Sequence, residues 1–179
     1  VVNEIKEDLG KPMPMMKLLQ GDVGSGKTVV AALAMSIAAD NETQSVLMAP
    51  TELLAEQHMD NLGGWFEPLG VKTVLLKSKL TQKERRLILS EIKSGEASII
   101  VGTHALFQNK VEYKNLSLVI VDEQHRFGVD QRLSLVKKTG DNNSVPHQLI
   151  MTATPIPRTL AMTAYGDLDA SVLDELPKG

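Results

Sequence analysis

The sequence has 179 residues, of which 42% are hydrophobic and 23% charged, and its formal net charge is −3. This composition is typical of one globular domain with a buried core and excludes wholesale disorder, while the slightly acidic balance does not indicate a strongly basic nucleic-acid binder. The chain contains no cysteine, which excludes disulfide bonds and zinc–thiolate sites.

Short apolar runs alternate with helix-length segments along the chain. The runs predict seven strands, at Lys17–Gln20, Val46–Ala49, Val71–Leu76, Ser98–Val101, Leu116–Val121, Gln148–Thr152 and Ser171–Leu173. The longer segments predict helices at Thr28–Ala39, Glu52–Phe66 and Thr81–Ser94, of which the first is apolar on nearly all sides and should be covered on several of them. This alternation predicts a single α/β domain over residues 1–179, with a doubly wound, mostly parallel sheet of about seven strands flanked by helices. Such sheets bind ligands beyond the carboxyl ends of their strands.

A complete phosphate-binding motif follows the first predicted strand. It has the pattern G-x-x-x-x-G-K-[ST] and consists of Gly21, Asp22, Val23, Gly24, Ser25, Gly26, Lys27 and Thr28. The glycines let backbone N–H groups turn toward phosphate oxygens, Lys27 supplies a cation for the β- and γ-phosphates, and Thr28 offers a hydroxyl to Mg²⁺. A chance match in a glycine-bearing turn is the alternative, but the preceding strand and the apolar helix that follows favour a nucleotide site.

Two adjacent acids end the apolar strand Leu116–Val121. Asp122 is placed to make a second contact with Mg²⁺, and Glu123 to orient and deprotonate an attacking water. The alternative is a pair of surface acids that caps the next helix. Gln124 and His125 continue the run, and its position predicts that His125 lies beside the γ-phosphate.

Two other histidines lack such neighbours. His58 repeats with Leu54 and Leu62 every four residues along one predicted helix, and His147 stands alone. A lone histidine is usually a hydrogen-bonded polar residue of the fold, and we expect both to be of that kind.

The motifs together resemble those of the first motor domain of superfamily 2 helicases. The segments 21–28, 49–58, 101–106, 122–125 and 152–155 resemble motifs I, Ia, Ib, II and III of that superfamily, in the correct order. Within the superfamily, the chain is most similar to the RecG family of branched-DNA helicases.

Two alternatives stay open at this point. The transcription-repair coupling factors share the run at residues 152–159, whereas Gln124 and the segment 165–177 favour the RecG family. A P-loop switch or remodelling module that does not touch DNA would share the phosphate loop and Asp122, but it would leave the blocks at 49–58 and 101–106 unexplained.

The resemblance implies a RecA-like P-loop fold, the use of ATP and Mg²⁺, and ATP-driven remodelling of branched DNA in recombination and repair. It implies catalytic roles for Lys27, Asp122, Glu123, Gln124 and His125. It implies that the residues lining the DNA face are Pro50, Thr51, Gly102, Thr103 and His104. It also implies that Thr152 and Thr154 couple the nucleotide state to the grip on DNA.

The resemblance further implies partners and missing parts. DNA would be held mainly through its phosphates, a second motor domain would complete the active site, and the protein would act as a monomer in the bacterial cytosol. Because the chain begins at Val1, we expect it to be part of a longer protein, with the adenine contacts before Val1 and a wedge domain elsewhere, so that alone it would be nearly inactive.

One further surface is a candidate for DNA binding. Its basic residues are Lys72, Lys77, Lys79, Lys83, Arg85 and Arg86, although such a run is often only a solvated face. The segment 76–78 departs from the small-Gly-Ser turn that relatives usually carry there, which puts one contact with the DNA backbone in doubt.

Overall fold

The computed structural model describes residues 16–20, 26–107, 110–122, 146–152 and 169–172. Its strands are β1 (Met16–Gln20), β2 (Gln44–Met48), β3 (Thr73–Leu76), β4 (Ile99–Gly102), β5 (Leu116–Asp122), β6 (His147–Thr152) and β7 (Asp169–Val172). Its α-helices are α1 (Lys27–Asp40), α2 (Glu52–Phe66) and α3 (Gln82–Ser94). Short 3₁₀ turns at Glu67–Leu69 and His104–Phe107 complete the described elements.

The strands form one seven-stranded sheet in the order β3-β4-β2-β5-β6-β1-β7. Every pairing between the described strands is parallel. The predicted doubly wound sheet is therefore confirmed, with strand boundaries that differ by one or two residues. Because all strands run the same way, the segments that follow them emerge at one edge of the sheet, here called the carboxyl edge, and the segments that precede them lie at the opposite amino edge.

Local sequence signals explain where the helices begin and end. Gly26 precedes α1 with a φ of 91°, a left-handed conformation that glycine adopts without strain. Thr51 caps α2 through its side chain, which accepts a hydrogen bond from the Leu54 N–H at 3.2 Å. Thr81 caps α3 in a reciprocal capping box with Glu84.

Alternate strand residues pack into two cores, one on each face of the sheet. One face packs against α1 and α2, with Met35 and Leu62 fully buried beside Ile120 of β5. The other face packs against α3 through Ile92. Alternation along β5 directs Asp122 toward the same face as Ile120, which is the face that carries α1 and α2.

One side of α1 remains open. Val29 and Leu33 are half-exposed and form a shallow apolar groove of about 400 Å³ with Trp65 and Leu69. The other sides of α1 are buried at Val30, Ala31 and Met35, so the expected cover on several sides of this helix is confirmed. Among the described residues, no element packs over the groove. None of the described helices is long and apolar enough to cross a membrane.

Candidate nucleotide and nucleic-acid site

The carboxyl edge collects the predicted functional segments. The loop after β1 leads to Gly26, Lys27 and Thr28, β5 ends at Asp122, and β6 ends at Thr152. The segments after β2 and β4 carry the residues predicted to face DNA.

Strand β1, which precedes the phosphate motif, and strand β5, which ends at the first acid, point to the same edge of the sheet. Leu19 of β1 pairs with Met151 of β6, and Met151 pairs with Asp122 of β5. Two strand spacings therefore separate Asp122 from the strand that feeds the phosphate loop, a lateral distance of about 10 Å. Thr152 ends the strand between them. A nucleotide and its metal can span such a distance, so the spacing of these strand ends is compatible with the predicted site.

Several predicted residues cannot be placed. Gly21, Asp22, Val23, Gly24 and Ser25 of the loop, the segment Glu123, Gln124 and His125, and the second coupling residue Thr154 lie outside the described residues. Their roles stay predictions from the sequence.

The described donor set suits Mg²⁺. Thr28 stands in the first turn of α1, and Asp122 presents a buried carboxylate at the strand end. In the described part of the chain, no three His, Asp or Glu side chains converge on one point. Mg²⁺ in nucleotide sites is usually bound by one or two protein oxygens together with phosphates and water, and Thr28 and Asp122 could supply those oxygens.

The residues predicted to face DNA lie together on neighbouring strand ends. The Ala49 N–H donates to the carbonyl of Gly102 at 2.9 Å, which joins the segment after β2 to the end of β4. Thr51 and His104 are exposed, Pro50 is half-exposed, and Thr103 is buried. Exposure therefore favours Thr51 and His104 as the side chains that could meet a phosphate.

Gly102 has a packing role that the sequence did not reveal. A Cβ atom at this position would lie 2.9 Å from the carbonyl oxygen of Leu76 and 3.1 Å from the Leu106 side chain. The close approach of β4 to β3 thus requires glycine, whatever this residue contributes to DNA binding.

The turn after β3 is held by charged neighbours. Glu52 accepts hydrogen bonds from the backbone and hydroxyl of Ser78, and these bonds lower the pKa of Glu52. Arg85 donates to the carbonyls of Lys77 and Ser78 at 3.1 and 2.9 Å, respectively. The Lys77 ammonium lies 2.7 Å from Glu56. The departure from a small-Gly-Ser turn is therefore stabilised by side chains of α2 and α3.

The residues of the predicted basic surface lie at both edges of the sheet. Lys72 precedes β3 and lies at the amino edge, where its ammonium is 2.7 Å from Glu91 and 3.3 Å from Glu96. It cannot belong to a patch at the carboxyl edge. Lys79 and Lys83 are exposed on the correct side of the sheet.

His58 is the site residue that the sequence failed to indicate. Its Nε2 lies 2.7 Å from Oδ2 of Asp122, and both side chains are buried. It is a hydrogen-bonded histidine, as expected, but its partner is the predicted metal ligand. The available signal was a polar residue in the apolar stripe between Leu54 and Leu62.

Comparison with known families decides the broad identity. The family model described as DEAD/DEAH box helicase matches residues 6–163. The chain belongs to the DEAD/DEAH box helicase family. This match agrees with the predicted RecA-like fold and with the motifs at the carboxyl edge.

Individual relatives sharpen the likeness. The chain is 60% identical over all 179 residues to the ATP-dependent DNA helicase RecG of Pasteurella multocida, and 54% identical over the same length to RecG of Bacillus subtilis. It spans only 26% of the length of each of these relatives. The resemblance to RecG that the motifs indicated is confirmed over the full chain.

Solved structures agree. A structure of RecG bound to a three-way DNA junction superposes with a TM-score of 0.83 at 42% identity, over 99% of this chain and 23% of that one. The DUF1998 helicase MrfA bound to DNA and AMPPNP superposes with a TM-score of 0.73 over 98% of this chain and 26% of that one. Its identity is 18%, so that likeness shows the fold alone.

Proposed function

We propose that this chain is the ATP-binding motor domain of a RecG-like, ATP-dependent DNA helicase that remodels branched DNA. The observation that carries the proposal is the common edge shared by Lys27, Thr28 and Asp122, in a chain 60% identical over its whole length to a RecG helicase. The RecG structure with a three-way DNA junction supports branched DNA as the substrate class.

The residues of the carboxyl edge divide the chemistry. Lys27 would neutralise charge on the β- and γ-phosphates, while Thr28 and Asp122 would hold Mg²⁺. When bound, Mg²⁺ would supply electrostatic stabilisation of the transferring phosphoryl group. Glu123 orients the water that attacks the γ-phosphate and accepts its proton, and ADP and phosphate are released.

The DNA-facing half of the edge supplies neutral donors. Thr51 and His104 are exposed at a helix start and a 3₁₀ turn, where hydroxyl, imidazole and backbone N–H groups can bind phosphates without reading bases. Such contacts let a domain with a net charge of −3 hold DNA. We place the second motor domain opposite this edge, with Thr152 and Thr154 linking nucleotide state to DNA grip, in a monomer of the bacterial cytosol.

DNA-stimulated ATP hydrolysis by the full-length protein tests the proposal. Branched DNA should raise the hydrolysis rate, and the stimulation should weaken steeply as salt rises, because phosphate contacts release counterions. Glu123→Gln should bind ATP with Mg²⁺ normally and lose hydrolysis. A rate that does not respond to DNA at low salt would instead favour a P-loop module that does not act on DNA.

A further inference from the structure

Helix α2 brings an imidazole onto the predicted metal ligand. His58 Nε2 lies 2.7 Å from Asp122 Oδ2. Because a carboxylate only accepts hydrogen bonds, Nε2 is the donor. The distance is that of a strong, charge-assisted hydrogen bond.

The bond joins the predicted nucleotide site to a helix next to the predicted DNA contacts. Asp122 ends β5, and β6 lies between β5 and β1, the strand that precedes the phosphate motif. His58 belongs to α2, whose start adjoins Pro50 and Thr51, two of the residues predicted to face DNA. Sixty-four positions separate the two residues in the chain, so the contact depends on the tertiary fold.

The Asp122 carboxylate needs such a partner. The backbone of β5 is fixed by its pairing with β6, but strand pairing leaves the side-chain torsions of Asp122 undetermined. A buried carboxylate without a donor is also costly, and the His58 N–H offsets part of that cost. The bond therefore both stabilises the acid and fixes the direction of its oxygens.

We infer that His58 is a positioning residue that orients the Asp122 carboxylate for Mg²⁺. The imidazole engages Oδ2, so the carboxylate presents a fixed acceptor to the water shell of the ion. Donors to a metal-binding carboxylate commonly change metal affinity when they are removed. The inference rests on the proposed function, because it requires Asp122 to serve the metal.

The Mg²⁺ dependence of nucleotide binding tests this role. The full-length protein is titrated with Mg²⁺ in the presence of a fluorescent, non-hydrolysable ATP analogue, and the half-saturating Mg²⁺ concentration is measured. His58→Ala should raise that concentration about tenfold, a typical cost of losing a donor to a metal ligand. Its affinity for the analogue in EDTA should stay unchanged.

Matched substitutions separate positioning from packing. In His58→Gln, the amide nitrogen reaches the position of Nε2 and should restore most of the Mg²⁺ affinity, whereas the shorter His58→Asn should behave like His58→Ala. Asn61→Ala changes an exposed residue one turn along the same helix and should leave the midpoint unchanged. Thermal unfolding of each variant identifies any that fails to fold. The comparison of His58→Gln with His58→Asn then decides whether His58 acts through its Nε2 donor or through packing.

A double variant links His58 to Asp122. If the imidazole acts through the carboxylate, His58→Ala should add nothing to the midpoint of Asp122→Asn. A normal midpoint in folded His58→Ala or His58→Asn, together with a raised midpoint in Asp122→Asn, would overturn the positioning role. A normal midpoint in Asp122→Asn itself would instead reject the proposed function.

Discussion

The two edges of the sheet use polar side chains differently. At the amino edge, the amide of buried Gln44 donates to the carbonyls of Ile92 and Ala97 at 2.8 and 2.9 Å, and its oxygen accepts from the Asn115 N–H at 3.0 Å. At the carboxyl edge, the buried acid Asp122 is bonded to His58, another side chain. Gln44 satisfies backbone N–H and carbonyl groups, whereas His58 holds the ionisable Asp122 side chain in place.

The two sets of polar side chains are expected to have different roles, one in stability and the other in ligand binding. The Gln44 side chain makes three hydrogen bonds that join β2 to α3 and to the segments before β4 and β5, so these bonds stabilise the fold. A carboxylate and an imidazole in contact at the end of parallel strands form a pair suited to ligand chemistry. We therefore expect substitutions at the amino edge to lower stability, and those at the carboxyl edge to lower binding.

Lys27→Ala should give the largest effect, the loss of detectable ATP–Mg²⁺ binding, because the cation that meets the phosphates is removed. Fluorescent-nucleotide titration of the full-length protein measures it. Lys93→Ala removes an exposed lysine paired with Glu112 and serves as the control, with unchanged binding. Strong ATP–Mg²⁺ binding by a folded Lys27→Ala variant would contradict the expectation that residues of the carboxyl edge serve nucleotide binding.

Gln44→Leu should give the next largest effect and should act on stability alone. It removes the side-chain partner of the Asn115 N–H and of the Ala97 carbonyl and one of the two donors to the Ile92 carbonyl, at a cost of about 3 kcal/mol in the free energy of unfolding. Chemical denaturation measures the loss, and Gln82→Leu on the exposed start of α3 is the control. Nucleotide affinity should stay normal below the unfolding transition, and a change there would contradict a purely structural role.

Thr51→Ala should give a smaller, mixed effect. Loss of the side-chain cap on α2 costs about 1 kcal/mol of stability. Loss of the exposed hydroxyl should also weaken DNA binding by the full-length protein. Thr51→Ser keeps the cap and the hydroxyl and should restore both properties. Restored stability with DNA binding still reduced would show that the hydroxyl is not the group that meets DNA.

Lys72→Ala should give the smallest effect. The hydrogen bonds to Glu91 and Glu96 raise the pKa of Lys72, so this stabilising contribution is complete below the ordinary lysine pKa and is lost as pH rises through the raised value. The group is exposed and screened, so the change in stability should be near the detection limit. DNA affinity should be unchanged, whereas Lys79→Ala should lower it and reduce its salt dependence.

The sequence predicted the fold because its signals are local. Runs such as Leu116–Val121 are apolar without alternation, as strands buried on both faces must be, and Thr81 and Gly95 mark the ends of α3. The phosphate motif likewise depends on adjacent residues.

What the sequence did not predict depends on contacts between distant residues. The bond between His58 and Asp122, the close approach of Gly102 to Leu76 and the hydrogen bonds of Gln44 all join separate elements. Lys72 lies at the amino edge because it precedes β3, which runs parallel to β4 and to the rest of the sheet. Neither periodicity nor motif spacing contains that information.

Helix α2 connects its capping residue, Thr51, to the imidazole of His58. Thr51 caps the helix that contains His58, and the two residues are seven positions apart, a separation of about 10 Å along the helix axis. A DNA phosphate that shifts the start of this helix also shifts the donor to Asp122. Thermodynamic linkage makes any such effect reciprocal: if DNA tightens the hold on the metal, the metal tightens the hold on DNA by the same factor.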